Sequence, residues 1–153
     1  MATRSSRVDP SGLVVVDVSD PRHPRKAAVA PVSGSAWDVE VSDGIAYVAN
    51  ANTVSVIDVT SPETPVVLAA VGPAGIGIDV VGSLVFVAAS DHGLRVLDVS
   101  DPAHPRALGS LETASGAWEV TVVGTLAYLA DVEDGMRVID VSHPETPAER
   151  GSG

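Results

Sequence analysis

The sequence predicts an all-β fold assembled from a repeated four-stranded unit, and three observations predict it. One stretch recurs four times, as Leu13–Pro21 (LVVVDVSDP), Val54–Pro62 (VSVIDVTSP), Leu94–Pro102 (LRVLDVSDP) and Met136–Pro144 (MRVIDVSHP). Its central aspartates fall at 17, 58, 98 and 140, steps of 41, 40 and 42 residues, and self-similarity at such a period marks a repeat architecture. The apolar runs are short and rich in Val, whose β-branched side chain fits a pleated, half-buried surface better than a helix. Eleven prolines and fourteen glycines, spread along the chain, leave no room for long helices.

Taken in order, residues 1–11 are polar and turn-rich and read as a loose N-terminal segment. Leu13–Ser19 is an apolar strand stopped by Asp20-Pro21-Arg22-His23-Pro24, where two prolines remove two backbone donors. Lys26–Val32 follows as a weaker strand with a basic start. The first complete unit opens at Trp37. Trp37–Val41 alternates apolar with acidic side chains, the period of a strand with two different faces. Asp43-Gly44 supplies the positive φ angles of a tight hairpin, Ile45–Asn50 returns, and Val54–Thr60 and Pro65–Val71 complete the set. The order is four strands per period, called a, b, c and d.

The second unit repeats it as Ile76–Val80, Leu84–Ala88, Leu94–Ser100 and Arg106–Leu111. The third runs through Trp118–Val122, Leu126–Ala130 and Met136–Ser142 to a strand d that reads as truncated at Ala148–Arg150. Trp37, Ile76 and Trp118 correspond, as do Tyr47, Phe86 and Tyr128, one aromatic at the same place in each strand b. Four antiparallel strands per period of this length are the signature of a β-propeller blade. A lone blade cannot bury both faces, so blades stack.

Strands c and d occur four times and strands a and b three times, which gives about three and a half four-stranded antiparallel blades. The expected boundaries are a half blade at 12–35, blades at about 36–73, 74–114 and 115–150, and a tail at 151–153. The missing a–b pair predicts an open arc rather than a closed ring. Such an arc exposes apolar end faces suited to assembly.

The chemistry on offer is sparse. Twenty acidic against nine basic residues give a net charge of −11, a field that repels phosphate backbones and argues against nucleic acid as a partner. There is no cysteine, hence no disulfide framework or thiolate metal site, and no apolar run long enough to insert in a membrane. Met1–Arg7 is not followed by an apolar core, so no signal peptide is expected at this start.

The pentad with its neighbouring D-V-S-x-P resembles the LVIVD repeat, named for this motif, with departures at Ser55, Arg95 and Arg137. The resemblance covers residues 12 to about 150. It implies β-propeller blades of a kind found mostly in bacterial and archaeal proteins, often exported or surface-associated, and it leans the localisation towards the cell exterior. It brings no catalytic residues.

Each candidate site has a structural reading beside it. Asp17, Asp58, Asp98 and Asp140 are expected to cap the c–d turns, since equivalent positions on different blades cannot meet at one centre. His23, His104 and His143 lie in separate D-P-x-H-P-like turns and His92 in another, too dispersed for one ion. Gly72–Gly77 is glycine-rich but leads into a strand, so no dinucleotide cofactor is expected. Asp131–Gly135, the most acidic loop, lacks calcium-loop spacing and reads as a hairpin turn. Asp38, Glu40, Asp79 and Glu119 sit on strand a, which lines the channel of a propeller, and form the one candidate pocket, an axial acidic site for a cation or a basic group.

The reading that results is a non-catalytic β-propeller module, not an enzyme, serving as a protein-interaction or assembly scaffold. No cofactor and no metal are assigned. Its expected partners are a protein or further blades of the same or another chain. The alternative is a part of a larger propeller with an axial ligand or cation site, or with an enzymatic loop face. Short, repeated loops without a long insertion favour the scaffold.

Overall fold

The computed structural model describes residues 12–72, 74–114 and 116–152; the segment 1–11 read as loose lies outside them. Among the described residues there are fourteen strands and no helix. A two-stranded sheet of β1 (Leu13–Asp17) and β2 (Arg25–Ala30) comes first. Blade 1 holds β3 (Ala36–Ser42), β4 (Ile45–Asn50), β5 (Val54–Asp58) and β6 (Val66–Val71). Blade 2 holds β7 (Gly77–Val81), β8 (Leu84–Ala88), β9 (Leu94–Asp98) and β10 (Arg106–Leu111). Blade 3 holds β11 (Ala117–Val123), β12 (Leu126–Asp131), β13 (Gly135–Asp140) and β14 (Ala148–Ser152).

In each blade every strand pairs antiparallel with the next in sequence, so the a–b–c–d order holds throughout. Among the described residues the first sheet is a c–d pair, the predicted half blade. One expectation is corrected at the other end. The last strand d is not truncated: Gly151 and Ser152, read as tail, pair with Val138 and Arg137 as part of β14. Glycine lacks the β-propensity that would have signalled this, and the pairing is imposed by the neighbouring strand.

Three apolar seams hold the arc together. Ala30 of the half blade meets Ala46, Val48 and Ile57 of blade 1. Tyr47, Ala49, Val54 and Val56 of blade 1 meet Ile78, Val85, Val87 and Leu97 of blade 2. Phe86, Ala88, Leu94 and Val96 of blade 2 meet Val120, Ala127, Leu129 and Ile139 of blade 3. Each blade thus has a forward face and a backward face, and the near-continuous apolar character of strand c follows because alternate side chains serve opposite seams.

Glycine decides one close approach. A Cβ on Gly77 would lie 2.6 Å from the Trp118 carbonyl oxygen and 2.7 Å from the Glu119 Cα, so only glycine lets β7 and β11 approach this closely. That gives the glycine-rich stretch before Asp79 a packing role.

Candidate functional site

The strand-a carboxylates were the candidate pocket, and two of them prove to be clamps between blades. Asp38 on β3 accepts the Val39 N–H with Oδ1 at 2.9 Å and the Ile78 N–H of β7 with Oδ2 at 3.1 Å. Asp79 on β7 does the same one blade on, accepting Val80 N–H at 2.9 Å and Val122 N–H of β11 at 2.6 Å. Strand a is the edge of its sheet, so alternate N–H groups find no strand partner. Each aspartate covers two such donors, one on its own strand and one on its neighbour's.

Register explains why two aspartates 41 residues apart do one job from different rows. Asp38 lies opposite Ala49 and Asp79 opposite Phe86, the counterpart of Tyr47 opposite Glu40. Glu40 is half-buried on β3 and Glu119 is exposed on β11. Among the described residues no three His, Asp or Glu side chains are grouped to hold a metal ion.

Bulges in β3 and β11 place Trp37 and Trp118 as extra residues between Ala36 and Asp38 and between Ala117 and Glu119. Both indoles are more than half exposed. The matching of Trp37 with Trp118 was legible in the sequence; the bulge that turns them outward was not, because it depends on cross-strand register.

The pentad aspartates cap the c–d turns as expected. Oδ1 of Asp17, Asp58, Asp98 and Asp140 accepts the N–H two residues on, from Ser19, Thr60, Ser100 and Ser142, each at 2.9 Å. The intervening valine in blades 1 to 3 donates its N–H to the a–b turn, Val59 to Gly44, Val99 to Ser83 and Val141 to Thr125. The D-V-S run is therefore a double stitch.

Arginines, not singled out from the sequence, complete it. Arg25 reaches Asp17 at 2.7 Å, Arg106 reaches Asp98 at 2.6 Å, and Arg150 reaches Asp140. The signal was the eight-residue spacing Asp17/Arg25 and Asp98/Arg106, which places the pairs directly opposite one another across strands c and d. The serine amide, the serine hydroxyl and then the arginine hold the carboxyls of Asp17 and Asp98 down to about 2. In blade 1 Val66 stands opposite Asp58 in place of an arginine, and the Thr60 hydroxyl, the counterpart of the serine hydroxyls, donates to Oδ1 at 2.6 Å.

The variable second position of the pentad builds a third element. The residue ending strand b holds it: Asn50 Nδ2 donates to Ser55 Oγ at 3.0 Å, and Arg137 Nε donates to Asp131 Oδ2 at 3.0 Å. Arg137 also meets Glu149 at 3.0 Å and Asp134, so one guanidinium bridges three carboxylates in and beside the acidic loop. Burial works against the Arg137 charge, but the Asp131 bond and the charges of Glu149, Asp131 and Asp134 raise its pKa above the ordinary guanidinium value. In blade 2 the partner position is Ala89, and Arg95 Nε is buried without a hydrogen-bond partner among the described residues, while its terminal nitrogen meets Glu112 at 2.5 Å.

The histidines sit in separate turns. His23 pairs with Asp20 at 2.8 Å and His104 with Asp101 at 2.9 Å, both within D-P-x-H-P and largely exposed. A groove of about 720 Å³ runs between the half blade and the next c–d turn, lined by Asp17, Ser19, Thr60 and Glu63 among others.

Comparison with known proteins agrees with this architecture. The solved structure of the computationally designed Ika8 protein matches with a TM-score of 0.73 at 13% identity, over 94% of this chain and 43% of that one. The computationally designed Ika4 protein matches with a TM-score of 0.66 at 14% identity, over 82% of this chain and 76% of that one. The chain therefore spans less than half the length of Ika8, and at these identities the likeness concerns the fold. No curated protein matches. The family model of the LVIVD repeat matches at residues 8–27, 33–71, 75–113 and 115–152, the half blade and the three blades. The chain belongs to the LVIVD repeat family.

Proposed function

We propose that the chain is a non-catalytic repeat module whose work is binding other protein, an interaction and assembly scaffold rather than an enzyme. The observation that carries this reading is the outer face of blade 3, where Met136 is 49% exposed while its counterparts Val54 and Leu94 are fully buried by a following blade. An apolar row of this kind gains free energy when covered, at roughly 25 cal/mol per Å² removed from water. The carboxylates of the inner strands support the same reading, because Asp38 and Asp79 spend their oxygens on backbone amides.

A photo-crosslinking side chain placed at Met136, compared with one at Trp37, tests the reading in cells. Protein adducts from position 136 are expected. Adducts from position 37 alone would move the binding role to strand a of blade 1 and overturn the reading.

A further inference from the structure

The forward-facing side chains of strands b and c are buried where a further blade follows and open in blade 3. Tyr47, Ala49, Val54 and Val56 point forward into blade 2, and Phe86, Ala88, Leu94 and Val96 point forward into blade 3; all are at most 4% exposed. Their counterparts in blade 3, Tyr128, Ala130, Met136 and Val138, are half-buried or exposed. The side chains have kept the character of a seam that nothing among the described residues fills.

Strand d carries a second, independent mark of the missing neighbour. In β10, a Cβ on Gly109 would lie 2.1 Å from the Pro144 carbonyl oxygen and 2.8 Å from Glu145, because the next blade's c–d turn lies on it. Gly151 is the counterpart in β14, opposite Val138 as Gly109 is opposite Val96, and a Cβ there would meet nothing within 4 Å. Blade 3 thus presents the same glycine seat, with no turn upon it.

The other end of the arc carries what fits. Val16 and Val18 of the half blade occupy the positions at which Leu97 and Val99, or Ile139 and Val141, enter the preceding blade; both valines are only half-buried. The half blade's own turn places Pro21 and Arg22 where blade 3 has Pro144 and Glu145. Charge agrees as well. Residues 116–152 hold seven acidic side chains against Arg137 and Arg150, whereas residues 12–35 hold Arg22, Arg25 and Lys26 against Asp17 and Asp20.

We propose that copies of this chain join head to tail, the forward face of blade 3 in one copy receiving the half blade of the next, with Pro21–Arg22 seated on Gly151. This rests on the module reading above and names its partner. The contact is heterologous: the two surfaces differ, so it propagates into a ring or a filament rather than stopping at a two-fold dimer. It reuses the seam that already joins blade 2 to blade 3, where Gly109 is the seat; blade 1 has Ala69 at that place.

The absence of cysteine gives a clean test. Single-cysteine variants Gly151→Cys and Arg22→Cys are mixed, oxidised mildly and run without reductant, with Ser83→Cys in an a–b turn as control. The expected product is the mixed 151–22 dimer, at least tenfold over either homodimer and over any Ser83→Cys product. Light scattering of the cysteine-free chain should give a mass above one copy, lost in Met136→Glu with an unchanged circular dichroism spectrum. Dominant 151–151 dimers would mean a two-fold contact and overturn the proposal, as would a monomer at every concentration. That second outcome, with adducts still forming from position 136 in cells, would leave the module reading standing with another protein, or a blade of different origin, on this face.

Discussion

The carboxylate of Asp38 in one blade accepts the backbone N–H of Ile78 in the next, 40 residues further along the chain, at 3.1 Å. Asp79 repeats the contact towards Val122, so neighbouring blades are joined by charge-assisted hydrogen bonds at their inner strands as well as by apolar seams. Blade order near the axis is thus fixed by direction-sensitive bonds, which apolar packing alone would not supply.

Replacing Asp79 with Ala strands two amides at the inner edge. Stability should fall by about 1–3 kcal/mol, the cost of leaving part-buried donors unpaired, and Asp79→Asn should lose less because its carbonyl oxygen still accepts. Urea unfolding followed by circular dichroism measures it. An unchanged midpoint for Asp79→Ala would remove the clamp role.

Asp131→Ala should recreate in blade 3 the orphan that blade 2 already has. Arg137 Nε would lose its 3.0 Å partner, and the expected loss is about 1–3 kcal/mol. The converse change, Ala89→Asp, offers Arg95 Nε an acceptor and should raise the urea midpoint. A lower midpoint would mean that the added carboxylate overfills a position only 4% exposed.

The pentad carboxylates set an acid limit. Asp17 and Asp98 have folded-state pKa values held down to about 2, below the ordinary carboxylate value of about 3.9 in the unfolded chain. A depressed folded value means that the unfolded state binds protons first as pH falls. Their contribution is therefore complete above about pH 4 and disappears as pH drops towards 2. The melting temperature should fall across that window, and Asp98→Asn should flatten the fall. Parallel curves for the two proteins would argue against it.

Gly77→Ala tests the close approach of β7 to β11. The added methyl would meet backbone atoms of Trp118 and Glu119 at 2.6 and 2.7 Å, and backbone cannot swing aside as a side chain can. A loss of about 1–3 kcal/mol is expected, as for other overpacked sites. Gly151→Ala, with open space around it, should leave the stability of a single copy unchanged.

The sequence by itself determined the strand order, the half blade and the turn-capping role of Asp17, Asp58, Asp98 and Asp140. Those features rest on local chemistry: Val runs at a fixed spacing, prolines that stop strands, and an aspartate two residues before the amide it caps. It also singled out Asp38 and Asp79 as unusual, but read them as a pocket. Only the tertiary structure decided that they are clamps, because their second partners, Ile78 and Val122, lie 40 and 43 residues away on another sheet. The same holds for Arg137 and the outward Trp37 and Trp118. A repeat announces its period in one dimension, while the groups that face one another across blades are fixed by register and bulges, which exist only once the strands have paired.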